Sequence, residues 1–390
     1  MIPMIEQHLS EKERDFIETI KRFVEIDLNP ISLAVENSGE MPPEIVERMR
    51  ALGLFGLAIP TRYNGLGLST LGEIRVYEEL TRTNACFRSR IGTSNGIGSM
   101  GILFDGTEAQ KQHYLPRIAS GDMTAAFALT EPDAGSDAGS ISTYAALDGD
   151  SWVINGSKVF ITNGDCANVF TTIVVTDEDK RSKRRFSAFI IENGTPGLTI
   201  GIPDRKMGLK GSQTTELVFR NCKVPRQNVI GGLTNVGQGF KTAMRVLDKG
   251  RLTMGACAVG ASQKMLDLCT EHIKKKARAG KSWDSLQADQ FILADLATET
   301  LAARQMLYHA AQLRDQGSNI SLEASMVKLF CTETASKVAD RVMDIIGEES
   351  YLTQNQIEMF LRDVRLYRIF EGTSEIQRLL ISRQLLQEKR

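Results

Sequence analysis

The sequence carries no surplus of charge: 47 lysines and arginines stand against 48 aspartates and glutamates, a net charge of −1 over 390 residues. No field of one sign is available to gather a polyanion, so nucleic acid is not an expected partner. Cysteine is sparse and unpatterned. The six, Cys86, Cys166, Cys222, Cys257, Cys269 and Cys331, show no C-x-x-C spacing, which argues against a disulfide framework or zinc site and for a reducing interior. The four histidines, His8, His113, His272 and His309, lie far apart and form no ligand pair, so no metal is expected. No apolar run nears the roughly 20 residues that span a bilayer. The N-terminus runs straight into Glu11-Lys-Glu-Arg14, without the basic and then apolar segments of a leader. The chain therefore reads as cytoplasmic, or as the mature form of an organellar matrix protein.

What is present is an ordinary complement of apolar residues, 42% of a chain too long for one core, so two or three domains are expected. The chain changes character twice. Up to about residue 122 it reads as helices broken by turns such as Pro42-Pro43 and Tyr63-Asn64-Gly65. Ser10 stands before Glu11-Lys-Glu-Arg14 and the apolar Phe16, Ile20, Phe23 and Val24, the pattern of a capped amphipathic helix. From Ala125 to about Ile230 the runs are short and β-rich, among them Phe170-Thr-Thr-Ile-Val-Val, Phe186-Ser-Ala-Phe-Ile-Ile and Leu217-Val-Phe. Turn dipeptides such as Asp148-Gly149, Asn155-Gly156 and Asn193-Gly194 punctuate them, as in a small barrel or sandwich. After Gly239 the helical period returns. Ile292, Leu296, Thr300, Ala303, Leu307 and Ala310 share a face, Gly317-Ser-Asn breaks the helix, and another spans about Ser321 to Ile346. The fold class expected is α+β: an N-terminal helical domain over 1–122, a middle β domain over 123–231 and a C-terminal helical bundle over 232–390.

Three segments bear on chemistry. In Phe127-Ala-Leu-Thr-Glu-Pro-Asp-Ala-Gly-Ser-Asp137 a strand ends at Thr130 and a Gly/Ser/Asp turn offers small residues and backbone N–H groups, suited to a phosphate or a polar ring edge. Trp152-Val-Ile-Asn-Gly-Ser-Lys-Val-Phe-Ile-Thr-Asn-Gly164 reads as a hairpin through Asn155-Gly156. Its returning strand would carry Phe160 and Thr162 on one face, a flat ring beside a hydroxyl. In Leu361-Arg-Asp-Val-Arg-Leu-Tyr-Arg-Ile-Phe-Glu-Gly-Thr-Ser-Glu-Ile-Gln-Arg378, a helix ending near Phe370 leaves Glu371 on a loop beside Gly372. Apolar neighbours there would desolvate the carboxylate and make it a better base. Taken singly, each segment also has an ordinary reading: a β-turn, a strand with a threonine, a solvated glutamate.

In this order and at these separations the three segments resemble the acyl-CoA dehydrogenase family over nearly the whole chain, together with Met207-Gly-Leu-Lys-Gly-Ser and Gly237-Gln-Gly-Phe240. The resemblance implies that fold, with a middle β-barrel domain and a four-helix bundle, and FAD-dependent α,β-desaturation of an acyl-CoA thioester. It implies that Phe127, Leu129, Thr130, Gly135 and Ser136 line the flavin and its pyrophosphate. Phe160 and Thr162 would sit against the isoalloxazine, and Gly372, Thr373 and Glu375 would touch the cofactor. Glu371 would be the catalytic base and Arg251 the arginine beside it; Ser136, Asp248, Arg251 and Gly372 would contact substrate. Some members carry the base just before that arginine. Here that position is Gly250, so Glu371 takes the role. An electron-transfer flavoprotein as acceptor and a homodimer or homotetramer are implied as well.

Two segments depart from the family pattern. Lys276-Ala-Arg-Ala-Gly-Lys281 keeps a glycine and is followed by the matching Gln287, which would reach a neighbouring subunit's FAD, but it has Ala279 where the family has phenylalanine. Asp344-Ile-Ile-Gly-Glu348 places a glutamate where the family has a second glycine near the adenine side. Two other readings therefore stay open: the same chemistry on a carrier-protein-bound thioester, and a non-catalytic member acting as a binding or assembly protein.

Overall fold

Ser10 opens the first helix through a reciprocal cap. Its Oγ accepts from Glu13 N, and Glu13 Oε2 accepts from Ser10 N at 2.9 Å. The helix that follows, α1 (Glu11–Phe23), turns Ile17, Ile20 and Phe23 inward. Glu13 Oε1 also accepts from Ser69 N and Oγ at 2.8 and 2.6 Å, which ties α1 to the start of the helix that begins at Thr70. The computed structural model describes residues 7–177 and 185–386. Its first helical region continues through α2 (Ser32–Ser38), α3 (Pro43–Ala51), α4 (Thr70–Leu80), α5 (Cys86–Asn95), α6 (Met100–Asp105) and α7 (Glu108–Ala119).

Seven strands follow: β1 (Ala125–Ala128), β2 (Tyr144–Asp148), β3 (Ser151–Thr162), β4 (Val169–Asp177), β5 (Arg185–Glu192), β6 (Leu198–Ile200) and β7 (Thr214–Pro225). Their order is β1-β4-β2-β3-β7-β6, with β5 antiparallel to β4. β1 lies parallel to β4, Ala125 opposite Val169. The sheet buries Trp152, Ile154, Phe170, Phe189, Leu217 and Phe219 among themselves, while Phe127, Ile173 and Ile190 pack with residues of α6 and α7 and with Ala243 and Val246.

The hairpin expected at Asn155-Gly156 is not there. β3 runs unbroken through that dipeptide, pairing Ile154 with Cys222 and Gly156 with Phe219 across a register shift. Gly156 is needed for a close approach instead: with φ of 140°, a Cβ on it would stand 2.7 Å from Thr143 Cα. Asn155 Oδ1 accepts from Asn221 N. The reversal comes earlier, at Asp148–Ser151, with Gly149 at φ 59°. A second shift, between Lys158 and Ile161, interrupts the strict alternation expected around Phe160 and Thr162.

The last region consists of α8 (Gly239–Arg278), α9 (Gln287–Asp315), α10 (Ser321–Ile346), α11 (Gln356–Tyr367) and α12 (Ser374–Leu386). α8 packs on both α9 and α10, and its Leu252, Met254, Cys257 and Val259 share one core with α1, α4, α5 and α11. Among the described residues no helix is long and apolar enough to cross a membrane.

Candidate active site

The chain reverses between α11 and α12 through two consecutive left-handed residues, Glu371 at φ 55° and Gly372 at φ 93°. For glycine this conformation is free; for glutamate it is strained and must be held by its surroundings. Three hydrogen bonds hold it. Gln377 Nε2 donates to the carbonyls of Glu371 (3.3 Å) and Gly372 (3.0 Å), and Lys328 Nζ donates to Gly372 O at 2.7 Å. Glu371 thus sits on a loop, as its place before Gly372 led us to expect.

Its carboxylate is directed onto α8. Oε2 is buried and has no hydrogen-bond partner among the described residues. A Cβ on Gly250 would stand 1.8 Å from that oxygen, so the carboxylate lies flush against the bare backbone of α8. Burial pushes the pKa of Glu371 up, and the cations Arg88, Lys328 and Arg251 pull only partly against it.

Around Gly250, α8 supplies the other polar groups. Arg251 Nη1 donates to Asp248 Oδ1 at 2.5 Å, and Asp248 Oδ2 accepts from Ser321 Oγ at 2.7 Å. Lys249 is clamped to Glu73 on α4 (2.9 Å) and to Asn95 O on α5 (3.1 Å), which fixes this turn of α8 against the N-terminal helices. Glu371, Arg251 and Asp248 are therefore brought together. Sequence reasoning missed three members of the group: Arg88, Lys328 and Gln377. Arg88 lies over the Tyr77 ring, 4.8 Å from its centroid, and donates to Thr253 Oγ1 at 2.7 Å. The available signal for Lys328 was its position on the apolar face of α10, between the buried Ala324, Val327 and Cys331.

The β-domain residues form a second group. Val159 N donates to Thr130 O at 2.9 Å, which joins the end of β1 to β3 beside Phe160. Beneath, Lys158 Nζ donates to Leu129 O (3.0 Å) and to Glu131 Oε1 (2.7 Å), and Glu131 also accepts from Ser142 N and Thr143 N. Burial pushes Glu131 up, but Lys158 and these N–H donors outweigh it and hold the carboxyl at about 2. The turn carrying Gly135 and Ser136 is thus fastened from below and exposed above. A Cβ on Gly135 would have no neighbour closer than 3.9 Å. Phe160, at φ 59°, is 69% exposed, and Thr162 is half-buried. An uncovered aromatic ring and an open Gly-Ser turn fit a flat heteroaromatic ring with a phosphate tail, as FAD has.

Thr373 caps α12, its Oγ1 accepting from Ile376 N, and Glu375 is exposed in the first turn. Gln287 is exposed where α9 begins, outside the hydrogen-bonded group around Glu371. Glu348 is exposed in the turn after α10.

Models of the acyl-CoA dehydrogenase N-terminal, middle and C-terminal domains match residues 10–122, 126–222 and 237–386. The chain belongs to the acyl-CoA dehydrogenase family. An acyl-CoA dehydrogenase of Bacillus subtilis (strain 168) is 38% identical over 379 residues, covering 97% of this chain and 99% of that one. Among solved structures, butyryl-CoA dehydrogenase from Megasphaera elsdenii superposes with a TM-score of 0.92 at 33% identity, over 97% of this chain and 99% of that one. An acyl-CoA dehydrogenase complexed with FAD, from Bacillus anthracis, gives 0.89 at 30% identity, over 97% of this chain and 67% of that one. The α+β fold and the FAD-dependent oxidoreductase class expected from sequence are those of this family.

Proposed function

We propose that the protein desaturates an acyl-CoA thioester between Cα and Cβ, with Glu371 removing the α-proton. The observation that carries this reading is the Glu371 carboxylate itself: desolvated, raised in pKa, with one oxygen unpartnered among the described residues and the side chain held by a strained, clamped turn. Such a group is a stronger base than a solvated glutamate. Its own backbone N–H donates no hydrogen bond among the described residues. That N–H is well placed in the chain to receive the thioester carbonyl, whose oxygen gathers charge as the proton leaves. FAD, when bound, supplies the acceptor for the β-hydride.

Phe127, Leu129, Thr130, Gly135 and Ser136, with Phe160 and Thr162, would hold the flavin and its diphosphate, and Gly372, Thr373 and Glu375 would touch it from the C-terminal side. Asp248 and Arg251, with Ser136 and Gly372, would contact the substrate. Gln287 would serve a neighbouring subunit's FAD in a homodimer or homotetramer. The exposed Trp283 and Phe291 on either side of it support an assembly face there. The electron acceptor proposed is an electron-transfer flavoprotein.

The test is Glu371→Gln. The variant should fold and keep yellow FAD, yet not bleach when acyl-CoA is added anaerobically; bleaching at the wild-type rate removes Glu371 from the role. Wild-type protein that bleaches with a carrier-protein thioester and not with acyl-CoA would instead move the activity to that substrate.

A further inference from the structure

Lys328 has no exposed surface, and among the described residues no carboxylate lies within ion-pair distance of its ammonium. A buried cation without a counter-charge is unfavourable unless strong acceptors replace its water. The acceptor here is the carbonyl of Gly372, 2.7 Å from Nζ. From a second helix, Gln377, also without exposed surface, donates to that carbonyl and to the one before it. Both carbonyls belong to the two left-handed residues of the base turn, and both side chains come from helices that are themselves packed: α10 on α8 and α9, α12 on α10.

We propose that Lys328 and Gln377 clamp the Glu371–Gly372 turn from two helices, making Lys328 the positioning residue that sets where the catalytic carboxylate stands against Gly250. The inference rests on the reading of Glu371 as the base. Lys328 contributes in two separable ways. Its hydrogen bond holds the turn in a conformation that glutamate disfavours. Its charge steadies the ionised form of Glu371, alongside Arg88 from α5 and Arg251 from α8, while burial of Lys328 keeps its own pKa near 8. Cys257 on α8 also feels this site: burial, together with the charge of Glu371, pushes its thiol up to about 11. Gln377 contributes the first effect only, because it carries no charge.

Two holoenzyme variants separate these effects, read by stopped-flow bleaching with acyl-CoA across pH. Lys328→Met keeps the buried stem and removes the ammonium. It should lower the limiting rate 10- to 100-fold, with a smaller change in half-saturation, and move the acid limb to higher pH. Lys328→Arg should return the limb to its wild-type position and recover part of the rate. Gln377→Met should lower the rate and leave the limb in place. Lys328→Met with a wild-type pH profile, its only defects being melting temperature and FAD content, overturns the proposal. If Lys328→Met does not fold, an unchanged rate in Gln377→Met overturns it. Glu371→Gln, run beside them, keeps the two readings apart. If that variant bleaches normally, the base assignment has failed; if it is inert while the clamp variants are normal, only the clamp has.

Discussion

A single methyl group at Gly250 tests the geometry of the site more sharply than removal of the base. Gly250 lies inside α8, where alanine is favoured over glycine by about 0.5–1 kcal/mol. Gly250→Ala therefore does not weaken the helix. Its Cβ, however, would stand 1.8 Å from Glu371 Oε2 and 2.7 Å from Cδ, where ordinary contact begins at 3.4 Å. The carboxylate has to withdraw by about 1.6 Å. It is the end of a flexible side chain, so it can give way without disturbing the core. The turn behind it cannot easily follow, because Lys328 and Gln377 hold both of its carbonyls. A displacement of about 1 Å at a reacting group is enough to cost on the order of 100-fold in rate. The expected result is a fall of at least about 100-fold in the limiting rate of bleaching by acyl-CoA. FAD content should stay at the wild-type level and the melting temperature should be unchanged or slightly higher. A Gly250→Ala enzyme that bleaches at the wild-type rate would show that the carboxylate does not work from this position, and the steric argument would fall.

Other outcomes follow from the same structure. The acid limb of the bleaching rate should lie above the pH at which an ordinary glutamate titrates, because burial raises Glu371 and the proposed base must be ionised to take a proton; a limb near the usual value of about 4.3 contradicts the desolvation of Glu371. Lys158→Met leaves Glu131 charged and buried without its cation. It should lose about 3 kcal/mol or more of stability and release FAD more readily, as measured by denaturant titration and flavin absorbance. Full FAD retention with unchanged stability would dismiss that pair as the fastening of the turn. Asp363 is fully buried, accepts from Leu209 N at 2.6 Å, and is pushed up to about 7 by burial. Its folded pKa lies above its unfolded value, so its stabilising protonation is complete in acid and lost as pH rises toward 7. Asp363→Asn should therefore gain stability relative to wild type between pH 5 and pH 8; a difference in melting temperature that does not vary over that range refutes the assignment.

What could be read along the chain was local. The bounds of α10 follow from the Gly317-Ser-Asn break and the apolar period after it, and the cap of α1 from Ser10 and Glu13 alone. Glu371 was legible because the glycine after it, the helix before it and its apolar neighbours are all contiguous. Asn155-Gly156 was misread because that dipeptide usually marks a tight turn, whereas here pairing with β7, over 60 residues away, keeps the strand going and turns the glycine into a point of close contact with Thr143. Arg88, Lys328 and Gln377 were illegible for a related reason. Arg88 answers Thr253, and Lys328 answers a backbone carbonyl at Gly372. A carbonyl is present at every residue and leaves no mark in the sequence that would reveal a partner.

The charges of the site explain why a raised pKa and three nearby cations are compatible. Arg88, Arg251 and Lys328 all favour ionised Glu371, and burial still prevails. If the cations served only to keep the carboxylate ionised, exposure to water would do it without them. Their value lies in what happens when the proton moves. In the proposed reaction, as Glu371 became neutral, negative charge would appear on the thioester oxygen, and the sum within the pocket would not change. Groups already oriented toward one anion can serve the other without reorganising, which is where a dry, polar site gains over water. Asp248 belongs to the same balance: by pairing with Arg251 at 2.5 Å and anchoring to Ser321, it takes up part of one cation's field. The glycine at 250 completes the arrangement, since any side chain there would occupy the place of the Glu371 carboxylate itself.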